Sequence, residues 1–160
     1  MLSYPCRVSL HDGDFLYLYL FALFFINKRM ENNMYIEYNS NPENKLVGDC
    51  IVRAISKVTD QDWEKTYMEV CVQGFMMHDM PSSNSVWGGY LFTKGFRRYI
   101  IPDTYPNRYT VKQFCKDYPK GLYLLATDQH VIAVEDGNYY DTWDSGNDFP
   151  LYYWRKEISK

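Results

Sequence analysis

The stretch from Leu122 to Trp143 constrains this chain more than any other. Three runs rich in aliphatic and aromatic residues, Leu122–Thr127, His130–Glu135 and Asn138–Trp143, are separated by Asp128-Gln129 and Asp136-Gly137. Two-residue connections admit only antiparallel neighbours, and Asp-Gly is the stronger of these two hairpin signals. With Asp136-Gly137 as the turn, Glu135 faces Asn138, Ile132 faces Asp141 and His130 faces Trp143. Side chains alternate along a strand, so His130 and Asp141 fall on one face as diagonal neighbours. Asp144 falls on the other face, and a one-residue bulge would exchange the two aspartates.

The residues before this sheet have a helical period. Cys50 to Val58 carries apolar residues at 51, 54, 55 and 58, the spacing of one helix face. Thr59 or Asp60 is expected to cap a second helix with Trp63, Tyr67, Val70 and Cys71 inward and Gly74 at its end. Ser83 or Asn84 begins a third, in which Val86, Trp87, Tyr90 and Leu91 share a side, and Gly95 stops it. Further strands are expected at Tyr35–Tyr38, Arg97–Ile101 and Leu151–Arg155, with a short helix from Val111 to Tyr118 capped by Thr110. Helices first and then a C-terminal antiparallel sheet is an α+β order.

At 160 residues and 46% hydrophobic the chain holds one sizeable core. That core is expected in residues 34–160. Residues 1–33 read as an apolar extension outside the fold, since Phe15 to Ile26 is an unbroken apolar run without polar periodicity. Twelve residues fall short of the roughly 20 that span a bilayer, so no stable membrane span is expected. As a signal peptide the run is poorly flanked: Asp12 and Asp14 precede it, and Asn27-Lys28-Arg29 follows where a small-residue cleavage site belongs. Met30 and Met34 read as alternative starts, and the run as an upstream extension or a weak membrane-associating leader. A net charge of −3 without a basic stripe argues against nucleic acid as a partner. Cys6, Cys50, Cys71 and Cys115 are widely spaced with no C-x-x-C pair, which suits reduced thiols in a cytoplasmic protein.

Cys50 is the thiol whose position carries chemistry. It stands in the first turn of its helix after Gly48-Asp49, and a helix N-terminus together with a histidine lowers a thiol pKa from about 8.5 by units. His130, at the start of its strand, is the matching base, and Asp141 is the carboxylate that holds an imidazole in one tautomer and orientation. An oxyanion needs donors, for which the Cys50 N–H and a loop amide, Asn44 or Asn41, are candidates. Cys71 and Cys115 lie within helical apolar faces and read as structural. Asp49 opposes the scheme, because a carboxylate beside the thiol raises its pKa unless it is turned away as the helix N-cap. A metal held by Cys50, His130 and Asp141 would lack a fourth ligand, with His78 the only other histidine after Met34. No Gly-rich phosphate loop is present, and no cofactor or metal is expected.

Cys50, His130 and Asp141 occur in the order, and on the elements, of papain-like cysteine peptidases, and the chain resembles that superfamily from Met34 to about Arg155. Asp141-Thr142-Trp143 looks like the family's Asn-Ser-Trp, whose tryptophan shields the His–Asn pair. Asn44, six residues before the cysteine, stands where the family has its oxyanion glutamine. The N-P…G-D-C…R-A opening is similar to small papain-like or bacteriocin-leader-peptidase-like proteins of bacteria and their phages. Ile51 departs from the family, which often has an aromatic residue there. The resemblance implies a papain-like fold and hydrolysis of a peptide or other amide bond, with a peptide or protein as substrate. The rival reading is a papain-like module that binds without turnover, and a third is deamidation or transglutamination.

A chain beginning at Met34 is expected to be soluble and to melt within about two degrees of the full chain, because the loss of an element outside the core leaves stability nearly unchanged. Aggregation, or a loss of several degrees in a thermal melt, would place the apolar run inside the core.

Overall fold

A computed structural model describes residues 34–157; the expectations for residues 1–33, Cys6 included, lie outside the described residues. The fold is α+β, with four helices and a six-stranded sheet among these residues. In chain order the elements are β1 (Tyr35–Glu37), α1 (Cys50–Thr59), α2 (Trp63–Met77), α3 (Asn84–Thr93), β2 (Phe96–Ile100), α4 (Val111–Asp117), β3 (Leu122–Ala126), β4 (Val131–Glu135), β5 (Asn138–Asp141) and β6 (Tyr152–Lys156). The sheet order is β1-β5-β4-β3-β6-β2.

The sheet is not wholly C-terminal, nor wholly antiparallel. β1 joins it as a parallel edge strand against β5, with Glu37 opposite Asp141, and β2 forms the other edge against β6. An N-terminal strand can pair in parallel here because three helices intervene before the rest of the sheet, and parallel neighbours need such a crossover. The four pairs other than β1–β5, the β2–β6 edge included, are antiparallel.

Strand alternation divides the core in two. Leu124, Ala126, Val131, Ala133, Tyr152 and Trp154 face α1, α2 and α3, where they meet Ala54, Ile55, Val58, Val70, Val86, Trp87 and Leu91. Tyr123, Leu125, Ile132, Val134 and Tyr139 face α4, where they meet Val111, Phe114 and Cys115. β3 and β4 are thus buried on both faces, which is why they read as unbroken apolar runs.

Helix α2 departs from expectation at both ends. Asp62, not Thr59 or Asp60, is its N-cap, accepting from Lys65 N at 2.7 Å. The helix passes through Gly74 to Met77, and His78 closes it in the left-handed region. Gly74 serves close packing: a Cβ there would lie 2.8 Å from the Asp79 carbonyl oxygen and 3.2 Å from Pro81 N. The buried residues of α2 are Thr66, Val70 and Gly74, while Tyr67 is exposed and Cys71 half-buried. Small residues at i, i+4 and i+8 let the helix backbone approach its neighbours, and the larger apolar side chains are displaced outward. Among the described residues no helix is long and apolar enough to cross a membrane.

The β4–β5 turn fixes which residues of its two strands stand opposite one another. Asp136 and Gly137 have φ of 47° and 77°, the conformation of a type I′ hairpin turn. The register runs Glu135 to Asn138, Val134 to Tyr139 and Ala133 to Tyr140. A Cβ on Gly137 would lie 3.2 Å from the Cys115 carbonyl oxygen and 3.3 Å from Pro119 Cα, so a side chain adds crowding to an unfavourable φ. Gly137→Ala is expected to destabilise by about 1–3 kcal/mol. Chemical denaturation measures this, and a cost below about 0.3 kcal/mol would mean that the turn is not held as described.

Candidate active site

The site forms where the N-terminus of α1 meets the start of β4 and the end of β5. Cys50 is the first residue of α1 and is half-buried. His130 immediately precedes β4, and Thr127 fixes its backbone: Thr127 N donates to His130 O at 2.8 Å, and His130 N donates to Thr127 Oγ1 at 3.0 Å. Asp141 ends β5 and is 3% exposed. Its carbonyl accepts from Tyr38 N at 2.8 Å, just past β1, so its backbone is pinned from the edge of the sheet.

His130 Nε2 lies 2.7 Å from Asp141 Oδ2. A carboxylate can only accept, so Nε2 carries the proton and Nδ1 is left for the thiol. Asp141 Oδ1 accepts from Thr142 N at 2.8 Å, which fixes the carboxylate's rotation. The Trp143 indole lies against the His130 ring, with centroids 4.2 Å apart and planes at 29°, and covers the imidazole while staying half exposed itself. Asp144 is engaged elsewhere, accepting from Tyr139 OH, from Gly146 N at 3.0 Å and from Lys112 Nζ at 3.3 Å.

The electrostatics of the two reactive groups are reciprocal. Burial pushes the Cys50 thiol up, but hydrogen bonding and charge from His130, the Val131 backbone and the Arg53 guanidinium bring it below the ordinary thiol value. Burial pushes His130 down, but hydrogen bonds to Asp141 and Cys50, with their charges, raise it to about 9. A thiolate beside an imidazolium is the state that satisfies both shifts. By contrast, burial alone drives Cys115 to about 12.

Asp49 holds the N-cap position of α1, yet its side chain makes no capping bond. Asp49 is 7% exposed, and its carboxylate is bound by Arg53 Nη1 and by Trp63 Nε1, the latter at 2.9 Å. Asp49 is therefore turned away from the helix end by two partners rather than by capping, and no side chain caps the first turn. The N–H groups of Cys50, Ile51 and Val52 are the ones an α-helix leaves without intrahelical acceptors. Arg53 stands four residues after Asp49, a visible i, i+4 pair; the tie from Trp63, in another helix, had no sequence signal.

Of the two loop amides, Asn41 is buried, and its Oδ1 accepts from Glu43 N at 3.1 Å and Lys45 N at 3.3 Å. Asn44 is exposed, with φ of 53° and its N–H donating to Asn41 O at 2.9 Å. Asn41 thus shapes the loop and Asn44 stands on its surface. Among the described residues no cluster of three or more His, Cys, Asp or Glu side chains is arranged to hold a metal.

The His130–Asp141 pair makes a pH-dependent contribution to stability, which is isolated by removing the thiol. In a Cys50→Ser chain the hydrogen bond and charge of Asp141 still act to raise His130 from its unfolded value of about 6.5, against burial, which lowers it. That contribution is complete below about pH 6.5 and is lost as the pH rises through the folded pKa. Adding Asp141→Ala is expected to cost about 2 kcal/mol near pH 5.5 and clearly less near pH 10. Denaturant melts at the two pH values measure the difference; a cost independent of pH would show that the pair does not hold an imidazolium.

Comparison with family models, with curated proteins and with solved structures finds no match.

Proposed function

We propose that the protein is a thiol hydrolase of papain-like type that cleaves a peptide or other amide bond through an acyl-thioester on Cys50. The observation that carries this reading is geometric: a half-buried cysteine opens α1 and a histidine is held at 2.7 Å by a buried carboxylate, and the thiol drawn down and the histidine raised to about 9 agree with it.

In this scheme the Cys50 thiolate attacks the carbonyl carbon of the amide, and the carbonyl π electrons move onto oxygen. The Cys50 N–H at the uncapped end of α1 receives the oxyanion, and Asn44, six residues before the cysteine, is the second donor in the scheme by its place in the sequence alone. When the oxyanion collapses, the C–N bond breaks and imidazolium His130 gives its proton to the leaving amine. Water then attacks the thioester while His130 takes its proton. The C–S bond breaks, the carboxylic acid leaves and the thiolate–imidazolium pair is restored. Asp141 keeps the ring in the required tautomer throughout, and Trp143 limits access of water to the His130–Asp141 bond.

At pH 6.5 an ordinary thiol of pKa about 8.5 is roughly 1% thiolate. Iodoacetamide is therefore expected to label Cys50 at least about ten-fold faster than Cys71 or Cys115, as mapped by mass spectrometry. His130→Ala should remove that advantage, and Cys50→Ser should abolish amide cleavage while the thermal melt is retained. If Cys50 reacts no faster than a free thiol, and His130→Ala changes nothing, the acyl-enzyme scheme fails.

A further inference from the structure

We propose that Asp49, Arg53 and Trp63 form a positioning unit for Cys50, in which Arg53 and Trp63 hold the Asp49 carboxylate off the first turn of α1. The proposal rests on the thiol chemistry assigned to Cys50 and concerns residues that touch neither substrate nor reacting atoms. Asp49 precedes the nucleophile in the chain and occupies the N-cap position, where an aspartate ordinarily bonds the N–H groups of the first turn. Here it does not. Arg53 Nη1 binds Oδ1, Trp63 Nε1 binds Oδ2 at 2.9 Å, and the same Arg53 nitrogen reaches the Val47 carbonyl at 3.4 Å. Arg53 is 5% exposed and Asp49 7% exposed, so the pair is fully inside the protein.

The thiol is affected in two ways. First, the negative charge one residue away is matched by a guanidinium and an indole N–H, so it opposes the thiolate less. Second, the helix end stays open for the oxyanion instead of being occupied by the protein's own carboxylate. Without Arg53, the Asp49 carboxylate would keep only the Trp63 N–H, with no counter-charge, or swing onto the N–H groups of Ile51 and Val52. Either outcome disfavours the thiolate. The other groups that bear on Cys50 are His130 and the Val131 backbone at the start of β4, with Asp141 acting through His130.

The test is the titration of Cys50 followed by its 13Cβ chemical shift in the full chain, a readout that requires neither alkylation nor turnover. Arg53→Met is expected to raise the midpoint by about one pH unit. Arg53→Lys, which keeps the charge, should stay nearer the wild type. The double variant Asp49→Asn/Arg53→Met should return toward the wild type, because no carboxylate remains to be held. If the double variant stays as high as Arg53→Met, Arg53 acts only through its own charge on the thiol and the positioning unit is overturned. A folded Arg53→Met chain with an unshifted midpoint overturns it equally. Should Arg53→Met fail to fold, Trp63→Phe decides: an upward shift supports the unit and an unchanged midpoint rejects it. Failure of the hydrolase reading shows separately, as a wild-type Cys50 that titrates like an ordinary thiol.

Discussion

The register of the β4–β5 hairpin is the constraint on which the site depends. A two-residue turn at Asp136-Gly137 leaves one pairing, and at the far end of that hairpin His130 and Asp141 meet at 2.7 Å. A slip of one residue would send Asp141 to the opposite face, because side chains alternate with period two. The hairpin is held from both sides, by β3 against β4 and by β1 against β5. Burial of Ile132, Val134 and Tyr139 beneath α4 adds a second lock, since a slipped strand would expose them.

The second constraint is electrostatic. A half-buried thiol is disfavoured as a thiolate, and the shift at Cys50 runs the other way only because several weaker effects act together. His130 contributes most among them, and its own charge is maintained by Asp141. The fold supplies this arrangement with a rigid scaffold. The cysteine begins a helix, the histidine sits between a fixed turn and a strand, and the aspartate ends a strand bracketed by two others.

Much of this was legible along the chain, for local reasons. The apolar period of Cys50–Val58, the Thr110 cap and the Asp-Gly turn each depend on residues within a few positions of one another, and each element formed where its pattern placed it. The departures from expectation have the opposite origin. Gly74 reads as a helix stop, yet the chain from Asp79 to Pro81 folds back on it so closely that only glycine fits within a continuing helix. Cys71 and Tyr67 read as buried, yet the neighbours of α2 meet it along Thr66, Val70 and Gly74. No local pattern reveals which side of a helix its partners will choose.

By itself the sequence determined the α+β content, the three consecutive strands from Leu122 onward, and the common face of His130 and Asp141, because turn chemistry and alternation act over short distances. Only the tertiary structure decided that β1 would close the edge beside Asp141 in parallel, and that Asp49 would turn toward Arg53 and Trp63 instead of capping its helix. Each of these is a choice between acceptable local partners. It is settled by burial: a carboxylate enclosed with a guanidinium and an indole N–H is satisfied there, and the helix end it leaves remains open beside the thiol.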